Sequence, residues 1–151
     1  MTDKQKRGDY YSGIPWVNVT AQQARDHPKG KLNAILWAIA LYFFAVGALR
    51  IYFGIANGYG VQFALLSGIW PLLVGLGLAF RVPWAVVMAC ISAGLSMYAL
   101  VRGLRGGADV FMLVETLISV GILFYLVDAD RPNLIYRHRY RKYSALKEDK
   151  A

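Results

Sequence analysis

Charged residues are scarce in the middle of this sequence. Of its 151 residues, 57% are hydrophobic and 17% are charged, whereas a soluble domain carries about a quarter charged residues. This composition excludes an ordinary water-soluble fold, a disordered chain, a fibrous rod and a soluble nucleic-acid-binding domain. The segment from residue 32 to residue 127 has only six charges: Arg50, Arg81, Arg102, Arg105, Asp109 and Glu115.

Cysteine, histidine and catalytic motifs are also nearly missing. The single cysteine, Cys90, excludes an intramolecular disulfide and a metal site built from cysteines alone. The two histidines, His27 and His138, have no second ligand at suitable spacing. No phosphate-binding loop, dinucleotide fingerprint, zinc-protease motif or nucleophile elbow is present. We therefore expect a protein that is not an enzyme and that has no cofactor and no metal site.

Four long apolar segments dominate the sequence. A helix needs about 20 residues to cross a hydrocarbon layer of about 30 Å, and the segments 32–55, 59–80, 82–101 and 108–127 meet that length. Their connections are so short that consecutive helices should be antiparallel neighbours. The sequence therefore predicts an all-α fold: a polytopic integral membrane protein with an antiparallel four-helix transmembrane bundle and short loops.

The two polar tails predict the orientation. Residues 1–31 contain six Lys and Arg, and residues 128–151 contain seven. Cytoplasmic loops and tails of membrane proteins carry an excess of these cations. We therefore expect a multi-pass protein of the cell inner (cytoplasmic) membrane with both termini in the cytoplasm.

Small residues recur at helical spacing in the second and third segments. In lipid, helices associate through close contact at such residues rather than through burial of apolar surface. Ordinary packing within the bundle is the main interpretation. The alternative is a docking face for a second copy or for other integral membrane subunits. The predicted packing face consists of Gly60, Ala64, Gly68, Ala85, Ala89 and Ala93.

One carboxylate, Glu115, lies well inside a predicted span, roughly 10 Å from its outer end at the helical rise per residue. Arg50 lies at a similar depth in the first span, so the two side chains could form an ion pair. Charged residues inside a membrane are costly and are functional candidates. Three interpretations stay open: a structural salt bridge, a protonated carboxyl bonded to Thr116, Ser96 or a carbonyl, and a proton- or cation-coupled transport site.

The tails contain short local motifs. Thr20 and Gln23 have capping-box spacing, which predicts a short interfacial helix over residues 21–27. A second helix is predicted to start near Pro132. Beyond it, aromatic and basic residues alternate as expected for an arm on anionic headgroups of the cytoplasmic face, or on a partner protein, and not on nucleic acid. This predicted lipid- or partner-binding arm consists of Tyr136, Arg137, Arg139, Tyr140, Arg141, Lys142 and Tyr143.

These features predict a non-catalytic function. We expect a small integral membrane protein that acts as an accessory, assembly or scaffolding subunit of a larger membrane complex. The alternative is an oligomeric transporter or channel for a small solute or ion that uses Glu115, with Arg50 as the opposite charge.

Overall fold

The computed structural model describes residues 13–14, 16–104, 106 and 110–141, and it is mostly helical. The chain separates into two compact units. One unit is Asn33–Val127, and the described residues before and after it form the other. Along the chain the elements are β1 (Trp16–Asn18), α1 (Ala21–Asp26), one turn of 3-10 helix (Pro28–Gly30), α2 (Ala34–Ala56), α3 (Val61–Ala79), α4 (Trp84–Gly103), α5 (Val110–Asp128), α6 (Asp130–Arg137) and β2 (Arg139–Arg141).

The helices α2, α3, α4 and α5 are each long and apolar enough to cross a membrane. The prediction of four such helices is therefore confirmed, and each boundary lies within two residues of the predicted one. The predicted start of the fourth span, at residue 108, lies outside the described residues, as does Arg105.

Local sequence signals account for several helix ends. The Asn33 side chain caps α2 by accepting a hydrogen bond from the Leu36 backbone N–H at 3.0 Å, which satisfies one of the free donors at the helix start. Between α2 and α3 the chain reverses through Gly58 and Gly60, whose φ angles are 74° and 88°. Glycine adopts this left-handed conformation without strain.

Helices α2 and α3 are antiparallel and in very close contact. Near the α2–α3 turn, Gly54 faces Ala64. Further from the turn, Gly47 faces Gly68. A Cβ atom added to Gly47 would lie 2.8 Å from the Gly68 carbonyl oxygen, too close for any side chain. Small residues therefore allow the two backbones to touch, as expected for helices packed in lipid.

The predicted packing face is used inside the chain, with one exception. Ala64, Ala85, Ala89 and Ala93 are at most 2% exposed, and Gly68 is buried in the α2–α3 contact. Gly60 requires a correction, because it is exposed at the start of α3 and a Cβ atom there would meet nothing within 4 Å. Its role is to turn the chain and not to pack helices.

The tails form a small folded unit of their own. The strands β1 and β2 pair in antiparallel fashion, with Val17 opposite Tyr140. The capping box of α1 is confirmed, because Thr20 Oγ1 accepts from the Gln23 backbone and the Gln23 side chain accepts from the Thr20 backbone. The buried interior of this unit includes Ala24, Asn133, Leu134, Ile135 and Tyr136.

Two expectations for the tails need correction. The fold is not entirely helical, because each tail contributes a three-residue strand to a two-stranded sheet. The predicted binding arm does not expose all of its residues, because Tyr136 lies within α6 and is only 1% exposed. The helix α6 ends at Arg137, and His138 reverses the chain in a left-handed conformation. Lys142 and Tyr143 lie outside the described residues.

Candidate functional site

A cavity of about 290 Å³ lies among the four long helices, and each of the four contributes to its wall. All of the lining residues belong to the Asn33–Val127 unit. The wall combines one charged pair and several hydroxyl groups with aliphatic and aromatic side chains. The lining residues are Tyr42, Phe43, Val46 and Arg50 of α2, Trp70 and Pro71 of α3, Ser92, Leu95, Ser96 and Ala99 of α4, and Met112, Glu115, Thr116 and Ser119 of α5.

The charged pair joins α2 to α5 at this cavity. Arg50 Nη2 lies 2.5 Å from Glu115 Oε1. The two side chains are 46% and 38% exposed, so the pair is not enclosed by protein. Within the described part of the chain, neither side chain makes a second hydrogen bond or ion pair. A guanidinium has five N–H donors and a carboxylate has two acceptor oxygens. Most of this capacity therefore stays available to water or to a solute.

Uncharged polar groups connect the same helices deeper in the cavity. The Trp70 indole N–H donates to Ser92 Oγ at 2.8 Å, which links α3 to α4. The Ser92 hydroxyl itself donates to the Met88 carbonyl oxygen at 2.9 Å. The polar groups of Trp70 and Ser92 are therefore satisfied by partners within the protein. Tyr42 of α2 and Ser119 of α5 lie near each other in the same cavity wall.

Thr116 has a similar internal partner. Its hydroxyl donates to the Met112 carbonyl oxygen at 2.8 Å and lies 3.3 Å from the Ser96 carbonyl oxygen of α4. Ser and Thr side chains in helices commonly return a hydrogen bond to the preceding turn. Thr116, Ser92 and Ser67 each make such a bond to their own helix.

Pro71 interrupts α3 beside the cavity. A proline has no backbone N–H, so the carbonyl group four residues earlier, at Ser67, loses its usual helical donor. Pro71 is buried within α3, and it lines the cavity next to Trp70. The missing backbone hydrogen bond of α3 therefore lies next to the Trp70–Ser92 contact with α4.

The charges in the cavity wall cancel each other. Arg50 supplies one positive charge and Glu115 supplies one negative charge, and no other lining residue is ionised at neutral pH. Because charges in a low-dielectric surrounding interact strongly, such a cavity does not favour a solute with a large net charge of either sign.

The structure brings together only some of the residues singled out in the sequence. Arg50 and Glu115 meet, and the hydroxyl of Thr116 lies in the same cavity. Sequence reasoning missed the contributions of Tyr42 and Trp70. A signal for a polar face opposite them was available, because Ser92 and Ser96 of α4 lie on one helix face by their spacing, as do Glu115, Thr116 and Ser119 of α5.

The described arginines of the C-terminal arm contact other residues of the tail unit. The guanidinium groups of Arg139 and Arg141 lie 4.7 and 4.8 Å from the centre of the Trp16 ring, a cation–π geometry. Arg141 also forms an ion pair with Asp128. Arg137 and Arg139 both donate to Asn133 Oδ1. Binding of this arm to lipid headgroups or to a partner stays a prediction.

No protein-family model, no curated protein and no solved structure matches this chain. In the part of the chain that the structure describes, no group of three or more His, Cys, Asp or Glu side chains could hold a metal ion. The function has to be argued from the cavity itself and from the helices that surround it.

Proposed function

We propose that this chain is a small multi-pass membrane protein that binds a small polar solute in the four-helix cavity and moves it across the membrane. One observation supports this choice over the others: an acid–base pair with unused hydrogen-bonding capacity lines a cavity among four apolar helices. Ionisable groups in such helices are expensive and usually mark a path for an ion or solute. A cavity with a few convergent polar groups is the usual form of a ligand site.

We propose an antiparallel four-helix bundle with both termini in the cytoplasm. The pairing of β1 with β2 supports this topology, because strands from the two tails can pair only on one side of a membrane. The count of Lys and Arg favours the cytoplasmic side. Antiparallel α2 and α5 are supported by contacts at three successive levels: Asn33 with Tyr125, Tyr42 with Ser119, and Arg50 with Glu115.

The cavity has a direction along the helices. It begins near the middle of the helices, at Tyr42 and Ser119, and continues to Ala99 and Met112. Ala99 is close to the end of α4, and Met112 is close to the start of α5. In the proposed topology this is the non-cytoplasmic end. A solute would enter there and meet the Arg50–Glu115 pair. For the solute to continue to the cytoplasmic side, the contacts of α5 with α2, such as Glu115 with Arg50, must open.

The role of an accessory or scaffolding subunit stays a prediction, but the argument for it is weaker. It depended on small residues that were free to dock another helix and on the aromatic and basic tails. Most of those small residues are buried inside this chain, where they hold α2, α3 and α4 together. The expectation that the protein has no catalytic activity likewise stays a prediction.

Uptake into vesicles tests the transport proposal. The full-length protein would be reconstituted into lipid vesicles and offered four labelled probes of different charge: glycerol, lactate, ethanolamine and L-leucine. We expect at least one probe to enter faster than into protein-free vesicles, and the uptake to fall in Arg50→Gln and Glu115→Gln. The matched control is Arg102→Gln, because Arg102 contacts the Tyr98 ring and does not line the cavity. Entry of all four probes at the protein-free rate would contradict the proposal.

Cross-linking tests the proposed topology. In a Cys90→Ser background, cysteines at Val17 and Tyr140 are opposite each other in the β1–β2 pair and should form an intramolecular disulfide on mild oxidation. The control combines Val17→Cys with Arg139→Cys, because successive side chains of a strand point to opposite faces. If the two cysteine pairs cross-link equally, or if neither pair cross-links, the strand pairing is wrong. The proposal that both termini lie on one side would then lose this support.

A further inference from the structure

The cavity has two chemically different parts. The Arg50–Glu115 pair supplies the charges. Much of the remaining wall is apolar, with Phe43, Val46 and Leu95 among its residues. A solute that fills this space therefore needs a polar part for the ion pair and an apolar part for the rest of the wall.

The polar part of the solute has few possible partners. The hydroxyl groups of Ser92 and Thr116 already donate to backbone carbonyl groups, and the Trp70 N–H is taken by Ser92. Among the described residues, Arg50 and Glu115 bond only to each other and keep most of their donors and acceptors. The ion pair is therefore the part of the wall that can recognise a charged solute.

The arrangement of these two charges restricts the solute further. A simple anion satisfies Arg50 but is repelled by Glu115, and a simple cation has the opposite problem. A molecule with both charges satisfies both residues. Since Arg50 and Glu115 are in direct contact, the two charged groups of the solute must also be close together, as on a single carbon atom.

From this geometry we propose that the cavity selects small zwitterions with an apolar side group, that is, aliphatic or aromatic α-amino acids. Arg50 binds the carboxylate, Glu115 binds the ammonium group, and the side group lies against the apolar wall. A volume of about 290 Å³ suits a molecule of this size, because it is at the lower end of the range for ligand cavities. This inference rests on the proposed use of the cavity as a solute site.

Binding in this way replaces one ion pair by two. The contact between Arg50 and Glu115 opens, and each residue finds an opposite charge on the solute. Neither charge is left without a partner of opposite charge. A solute with only one charge would leave either Arg50 or Glu115 unpaired.

The first test compares leucine with two analogues that each lack one charge. Binding of labelled L-leucine to the purified full-length protein would be measured by equilibrium dialysis in mild detergent. The competitors are isoamylamine, which lacks the carboxylate, and isocaproate, which lacks the ammonium group. We expect leucine to bind at least about tenfold more tightly than either analogue, since loss of one charged contact is worth more than 1.4 kcal/mol. The inference is overturned if either analogue binds as well as leucine.

The second test asks whether the two cavity variants prefer opposite analogues. In Arg50→Gln the remaining charge is Glu115, so leucine binding should fall about tenfold or more and isoamylamine should become the better ligand. Glu115→Gln should favour isocaproate for the same reason. Arg102→Gln serves as the control and should keep the original order. If both cavity variants weaken all three ligands equally, the assignment of the two charges is wrong. The comparison on the unaltered protein decides the inference even if a variant fails to fold.

Selectivity and transport can fail separately. If leucine binds with the expected preference but no probe enters vesicles, transport is wrong and the zwitterion site stands. If the protein accelerates glycerol, lactate or ethanolamine more than leucine, each relative to protein-free vesicles, transport stands and the zwitterion selectivity is overturned.

Discussion

The two sides of α2 are built differently. On the side of α3 the contact is dry: Gly47 lies against Gly68, and Gly54 against Ala64, with no polar side chain between them. On the side of α5 the contacts are polar, and they border a cavity: Tyr42 lies near Ser119, and Arg50 pairs with Glu115. One helix therefore belongs both to a tightly packed pair and to an open polar site.

This difference indicates which part of the unit can rearrange. Separating α2 from α3 would open voids along a close backbone contact, and lost packing in a protein interior is expensive. Separating α5 from α2 would break the Asn33–Tyr125 hydrogen bond, and such bonds are worth only about 0.6 kcal/mol on average between membrane helices. It would also open the Arg50–Glu115 pair, whose partly exposed charges can exchange each other for water or a solute. We therefore expect α2 and α3 to act as a fixed platform, with the movements needed for passage of a solute on the α5 side.

The largest expected effect is the loss of stability when a larger residue replaces a glycine in the α2–α3 contact. In Gly68→Ala, the new Cβ would contact the Ile51 side chain and lie 2.6 Å from the Gly47 carbonyl oxygen. Such overpacking costs about 1–3 kcal/mol. Unfolding in mixed detergent micelles measures the free energy. The control is Gly94→Ala, because a Cβ atom at this helical glycine meets nothing within 4 Å. If both variants keep the stability of the original protein, the α2–α3 contact is not the rigid part.

The next effect is loss of transport without loss of folding when the cavity is filled. Ala99→Phe would place a ring in the space that the solute needs, and it should reduce uptake about tenfold or more, which corresponds to about 1.4 kcal/mol. The free energy of unfolding should change little, because the space is empty of protein. Val101→Phe serves as the control, since Val101 is 62% exposed and does not line the cavity. Unchanged uptake by Ala99→Phe would show that the solute does not pass through this cavity.

The smallest expected effect concerns a single polar contact. Trp70→Phe keeps the aromatic ring but removes the donor to Ser92, which should lower stability by about 0.6 kcal/mol, the average for hydrogen bonds between membrane helices. Trp84→Phe is the matched control, because Trp84 is 65% exposed and makes no hydrogen bond within the described ranges. If Trp70→Phe lowered the free energy of unfolding as much as Gly68→Ala, the polar contacts at the cavity would not be weaker than the α2–α3 contact.

Much of the helical part could be predicted because its physical signals are long. Runs of about 20 apolar residues are hard to mistake, and a side chain such as Asn33 marks a helix start. The meeting of Arg50 and Glu115 follows from their similar depth in two antiparallel helices. The cavity did not follow from the sequence, because its volume depends on how four helices pack and not on the pattern of any one of them.

The tail unit was harder to predict because its signals are short and far apart. The strands β1 and β2 have three residues each and lie at opposite ends of the chain. An alternation over three residues does not define a strand, although Val17 and Val19 near Trp16 favour one. The contact of Trp16 with two arginines depends on this pairing, so it could not be seen from either tail alone.

Labelling of single cysteines is the most direct test of a solvent-accessible polar site among these helices. In a Cys90→Ser background, Ser96→Cys places a thiol in the cavity wall, whereas the adjacent Met97→Cys places one at similar depth on a face that does not line it. With the protein in intact vesicles, a charged, membrane-impermeant thiol reagent should modify the cysteine at position 96 and leave the one at position 97 unmodified. Equal labelling of the two positions, or no labelling at position 96, would contradict the account.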